Sequence, residues 1–112
     1  YRDRFLVKHG QRMLPIDIAE VAYFYSESSI SFLKTKGNQR FSLEYTLDEL
    51  EEMIDPRSFF RANRSFILHI KSVDAVYPHL NGRLKAELKP VSETEVLISR
   101  EKAQEFKDWL GK

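Results

Sequence analysis

The chain has 112 residues, 42% of them hydrophobic and 31% charged, which is room for one ordinary domain with one core and too apolar for disorder. Its 18 basic and 17 acidic residues nearly cancel to a formal charge of +1, so an anionic partner must be held by a local patch. Cysteine is absent, which excludes disulfides, thiolate metal sites and a cysteine nucleophile, and no apolar stretch nears the roughly 20 residues of a membrane span.

Tyr1-Arg2-Asp3-Arg4 carries no signal-peptide pattern and leads straight into a strand-like run, Arg4 to His9. A cytoplasmic domain fits these facts, and the abrupt start suits a piece of a longer protein. Gly10-Gln11 reads as a turn back into Arg12 to Pro15. Ile16 to Val21 is expected to make a short helical turn, Val21 to Tyr25 a strand, and Ser26 to Ser29 a polar loop. Ile30 to Lys36 alternates again, and Gly37-Asn38 turns the chain into Gln39 to Tyr45, where Phe41, Leu43 and Tyr45 share a face.

The period changes at Thr46. Thr46 followed by Glu49 is a capping-box signature, and Leu47, Leu50, Met53 and Ile54 form a helical apolar stripe that Pro56 ends. Ser58 to Ile70 fits neither period cleanly. Val73 to Tyr77 and Leu84 to Leu88 read as a hairpin across Pro78 to Arg83, and Thr94 to Ile98 as a further strand. Ser99 caps a last helix in which Ala103, Phe106 and Leu110 share a face, with Gly111 after it. The order strands, helix, strands, helix predicts a β-rich α+β domain of antiparallel sheets with two small helices.

Charge is distributed unevenly. Glu44 to Asp55 holds six acids and no base, read as a solvated helix face. Pro56 to Val73 holds four bases (Arg57, Arg61, Arg64, Lys71) and no acid. Apolar neighbours can anchor Phe59 to His69 while Arg61, Asn63, Arg64 and Ser65 project. Arginine's planar fork suits phosphate oxygens or a guanine edge, asparagine an adenine edge, and serine a phosphate. The bland reading pairs one arginine with the acidic helix and leaves the others solvated. Ser28 and Ser29 offer hydroxyls and backbone N–H groups. Arg100, beside the Ser99 cap, opposes the helix dipole and would favour an anion.

Enzyme signatures are missing: no GxxxxGK[ST], GxGxxG, GxSxG or HExxH occurs. His9, His69 and His79 lack metal-ligand spacing, so neither metal nor cofactor is expected. His69 reads as partly buried and His79 as solvated in its turn.

Phe60-Arg61-Ala62-Asn63-Arg64-Ser65-Phe66-Ile67-Leu68-His69 resembles the "F-x-R-x-H-R-S-[FY]-[IV]-V-N" core of the LytTR DNA-binding domains. Ile18 to Glu27, Leu47 to Glu52, Ile70 to Val73 and Ile98-Ser99-Arg100 are similar to that family's flanking segments, so the likeness runs from about Phe5 to Leu110. The resemblance implies an elongated set of short antiparallel sheets and small helices whose loops enter successive major grooves of double-stranded DNA. It also implies the C-terminal output module of a bacterial response regulator, behind a receiver domain, binding promoter direct repeats as a dimer. Carried over by position, base reading falls to Ser28 and Ser29, Asn63 and Arg64, and Arg100, with Arg61 and Ser65 contacting phosphates or supporting the others. Asn63 departs from the family's histidine and His69 from its asparagine, the latter affecting a local backbone hydrogen bond. The alternative is a protein-interaction module that uses the Val21 to Lys36 strands as an exposed edge.

Overall fold

Strand-forming alternation and two capped amphipathic runs become ten strands and two helices in the computed structural model, which describes residues 1–112. Their order is β1 (Arg4–His9), β2 (Arg12–Asp17), β3 (Val21–Glu27), β4 (Ile30–Thr35), β5 (Arg40–Leu43), α1 (Leu47–Met53), β6 (Phe59–Asn63), β7 (Phe66–His69), β8 (Val73–Pro78), β9 (Leu84–Leu88), β10 (Val96–Ile98) and α2 (Arg100–Leu110). The β-rich α+β class holds, and the body is elongated at 44 × 26 × 23 Å. Neither helix is long and apolar enough to cross a membrane.

Several boundaries differ from the sequence reading. Ser26 and Glu27 belong to β3, because both pair with β4, and only Ser28 and Ser29 turn. Ile16 and Asp17 extend β2, which confines the helical turn to a 3-10 segment at Ile18–Glu20. At α1 the Thr46 hydroxyl accepts from the Glu49 N–H while the Glu49 carboxylate accepts from the Thr46 N–H. That helix ends at Met53, since Ile54 is extended. β10 starts at Val96.

The larger sheet has seven antiparallel strands in the order β2-β1-β5-β4-β3-β7-β6, and the smaller has β10-β9-β8. β3 and β4 therefore lie inside the sheet with both flanks paired. This overturns the alternative of an exposed Val21 to Lys36 edge: the free backbone groups it needed are taken by β5 and β7.

A single core was expected from the length, but the sheet divides the apolar interior in two. Phe5, Val7, Val21, Phe24, Leu33, Leu50, Phe59 and Ile67 pack with α1 on one face. Tyr23, Phe60, Phe66 and Leu68 pack on the other against the small sheet and against Ala103 and Phe106 of α2. β3, β6 and β7 feed both clusters, so they are buried on both faces. The Tyr23 hydroxyl crosses to the connection after β9, donating to the Pro90 carbonyl at 3.1 Å. Burial, then Tyr25 and Glu93, push its pKa up to about 12.

The β3–β4 turn is strained. Ser28 and Ser29 have φ of +51° and +65°, a left-handed pair that matches strand twist in two-residue hairpins and that normally selects Asn-Gly. Ser29→Gly should raise stability by about 0.5–1 kcal/mol in urea unfolding. A loss of stability would show that the Ser29 side chain holds the turn.

His69 is half-buried, and its Nδ1 accepts from the Lys71 N–H at 3.1 Å, starting the 3-10 turn Ile70–Ser72. This is the local backbone bond expected at the position. His79, expected in solvent, is instead half-buried with its Nδ1 enclosed. Burial, then the charges of Lys36 and Lys71, lower the His69 pKa. As pH falls the unfolded chain takes up that proton first, so stability present above the ordinary histidine range is lost through and below it. His69→Asn keeps an acceptor without a titration. Its unfolding midpoint should depend less on pH than the native chain's between about pH 7 and 5, and equal dependence would remove His69 as the cause.

Candidate nucleic-acid interface

Four bases and no acid run from Pro56 to Val73, and the fold assigns them different tasks. Arg57 closes on Asp55, Nη2 to Oδ2 at 2.9 Å, and holds that carboxyl below its usual range. Arg61 is drawn inward, with a side chain only 14% exposed. Its Nη1 donates to Asp48 and Glu51 of α1, both at 2.9 Å. Its Nε donates to the Asn63 carbonyl at 2.7 Å and its Nη2 to the Arg64 carbonyl at 2.9 Å. Arg64 is exposed, and its side chain has no ion pair or hydrogen bond within the protein.

The turn that carries Arg64 links β6 to β7, after a bulge between Arg61 and Asn63. Asn63 shapes it. Its Oδ1 accepts from the Ser65 N–H at 2.8 Å, the side-chain mimic of a backbone turn, while its Nδ2 donates to the Leu97 carbonyl of β10 at 2.9 Å. Arg61 thus stands in the supporting role, one of the two expected of it, with four of its five N–H donors on internal acceptors. Asn63, expected to read a base, engages its amide oxygen and one amide N–H within the protein. The acidic face of α1 is exposed, as expected, and two of its carboxylates, Asp48 and Glu51, also pair with Arg61.

Of the remaining candidates, Ser29, Arg64 and Ser65 are brought together at one end of the molecule. The Ser65 carbonyl accepts from the Ser26 N–H at 3.0 Å, which ties the Arg64 turn to the Ser28–Ser29 hairpin. Ser29 and Arg64 line one shallow depression together with Ser26, Ser31, Thr46 and Asp48. On the other side the Lys102 Nζ donates to the Arg61 carbonyl at 2.6 Å, and with the Asn63–Leu97 bond this seats the start of α2 beside the turn. Arg100 stands at that start, capped by Ser99, with only a loose contact of 3.8 Å to Glu101.

Sequence reasoning missed what seats Arg100. A Cβ on Gly82 would lie 2.9 Å from Cγ and Cδ of Arg100, and Gly82 has φ of +77°. The missing side chain lets the arginine stem cross the Leu80–Gly82 turn. The signal in the sequence was Asn81-Gly82 within the Pro78 to Arg83 connection, a tip that could reach a nucleic-acid backbone but whose composition requires only a turn.

Residues 11–111 match the LytTr DNA-binding domain family. Over 108 residues the chain is 24% identical to the sensory transduction protein LytT of Oceanobacillus iheyensis, covering 96% of this chain and 44% of that protein. The chain thus spans less than half the length of that relative. The LytTr DNA-binding domain of a Bacillus cereus protein described as a methyl-accepting/DNA response regulator has the same fold, with a TM-score of 0.85, 21% identity and full coverage of both chains. A family match over nearly the whole chain and an architecture shared from end to end lead to one assignment: the chain belongs to the LytTr DNA-binding domain family.

Proposed function

We propose that the chain binds double-stranded DNA sequence-specifically, through Arg64, the Ser28–Ser29 turn and Arg100. The observation that carries this reading is the contrast between two neighbouring arginines. Arg61 is consumed in bracing the turn, and Arg64 is carried on that turn with all its donors free. An unpaired arginine on a braced tip suits the bidentate O6/N7 edge of guanine. The left-handed Ser28–Ser29 pair supports it, because strained non-glycine residues at a loop tip are characteristic of binding sites. Ser65 supports the Arg64 turn through its backbone, and Arg61 and Asn63 are positioning residues.

The chain acts as the output module of a two-component response regulator. It forms one domain at the C-terminal part of a longer cytoplasmic protein, behind a receiver, and needs no cofactor or membrane. Its targets are promoter direct repeats, occupied as a dimer. The near-zero net charge gives one copy modest affinity, and pairing through the receiver supplies the remainder as effective concentration. Neutralising roughly five phosphates gives a salt slope of about −4 to −5 in a log–log plot.

Arg64→Ala should cost about 1–3 kcal/mol of DNA affinity and relax preference at one base position, measured on sites selected from a random pool. Unchanged affinity would exclude Arg64 as a reader. Arg61→Lys keeps the charge but loses the fork, and should lower folding stability by about 1.5–3 kcal/mol. Equal stability of the lysine variant would mean that the carbonyls of Asn63 and Arg64 do not depend on the guanidinium.

A further inference from the structure

A second cationic site lies at the opposite end of the central strands. Lys36 follows β4, Lys71 lies in the 3-10 turn after β7, and Lys89 follows β9. These three separate segments converge on one open depression of about 320 Å³, lined by the three lysines and Ser72 alone. Backbone bonds fix the convergence: the Lys89 N–H donates to the Ser72 carbonyl at 2.9 Å, and the Lys36 N–H to the Glu20 carbonyl at 2.9 Å. Every ion pair of the molecule is made elsewhere, so none of the three lysines that line the depression is paired with a carboxylate.

Gathering like charges without compensation is unfavourable unless a ligand supplies the opposite sign. Lysine ammonium groups are compact point charges on flexible stems, suited to phosphate oxygens approached from several sides. Ser72 serves only as the floor, because its hydroxyl already donates to the His69 carbonyl at 2.7 Å. The Val21 and Thr35 pairing lies at this end of the β3–β4 hairpin and Ser28–Ser29 at the other. At about 3.3 Å per residue, the depression is roughly 20 Å from the Arg64 turn.

We propose that Lys36, Lys71 and Lys89 form a phosphate-binding cup, separate from the Arg64 edge. Its ligand is a phosphate group, from a free polyanion or from the backbone of DNA reaching this flank. The charges of Lys36 and Lys71 already bear on His69, which makes that ring an internal reporter.

The test follows the His69 ring protons by NMR while inorganic pyrophosphate is added to the chain at constant ionic strength. A saturable shift with a raised His69 titration midpoint is expected, and its affinity should fall at least tenfold when Lys36, Lys71 and Lys89 are all replaced by Gln. In parallel, the salt slope of DNA binding is compared between the native chain and that triple variant. A slope smaller by about 2–3 assigns the phosphates to DNA, and an unchanged slope with saturable pyrophosphate binding assigns them to a free anion. Linear, unsaturable shifts equal in both proteins, together with an unchanged slope, would overturn the cup. Arg64→Ala reports on the other edge, so the two proposals fail separately.

Discussion

The guanidinium of Arg61 fixes the turn on which Arg64 stands. A mostly buried cation must find partners or lose its solvation uncompensated. Here two carboxylates of α1 balance the charge, and two carbonyls of the turn receive two further donors. One group thereby joins the helix, the bulged strand and the tip. Removing it would strand Asp48 and Glu51 beside each other and leave the carbonyls of Asn63 and Arg64 to find other donors. The free neighbour depends on the bound one.

The two-faced strands give this bracing a rigid base. Phe59 and Ile67 enter one cluster, and Phe60, Phe66 and Leu68 enter the other. The strands carrying the turn are therefore clamped from above and below. Ring contacts such as Phe60 on Phe106, at 5.2 Å between centroids, and Phe24 on Phe59, at 5.8 Å, run through both layers. A displacement of β6 would open both clusters, and close-packed interiors resist this.

Much of this was legible in the residues. Half-buried strands announced themselves by alternation, and Thr46 with Glu49 and Ser99 with Gly111 marked helix ends by capping chemistry alone. The segment Ser58 to Ile70 resisted for a physical reason: strands buried on both faces lose the period-two signal and read as continuous apolar runs. The division of the interior followed from the same cause, since length arithmetic counts buried area and not the sheet that partitions it. At the site, the basic run was visible, but its division of labour came only with the family resemblance. Nothing in the one-dimensional spacing separates Arg61 from Arg64, three residues apart. Only the bulge and the position of α1 turn one inward and leave the other out. Gly82 and the three converging lysines were hidden for the same reason, being contacts made across segments.

The joints on either side of the Arg64 turn end on main-chain acceptors: Leu97 for the Asn63 amide, Arg61 for the Lys102 ammonium, and Ser65 for the Ser26 N–H. Main-chain oxygens are present whatever residue occupies the position. The distance between the tip and the start of α2 is thus encoded in the backbone and in two donor side chains. The outward groups at Arg64 and Arg100 take no part in it. Such a scaffold can exchange its outermost side chains over evolutionary time while its geometry stays inherited, so recognition can drift without the frame being rebuilt.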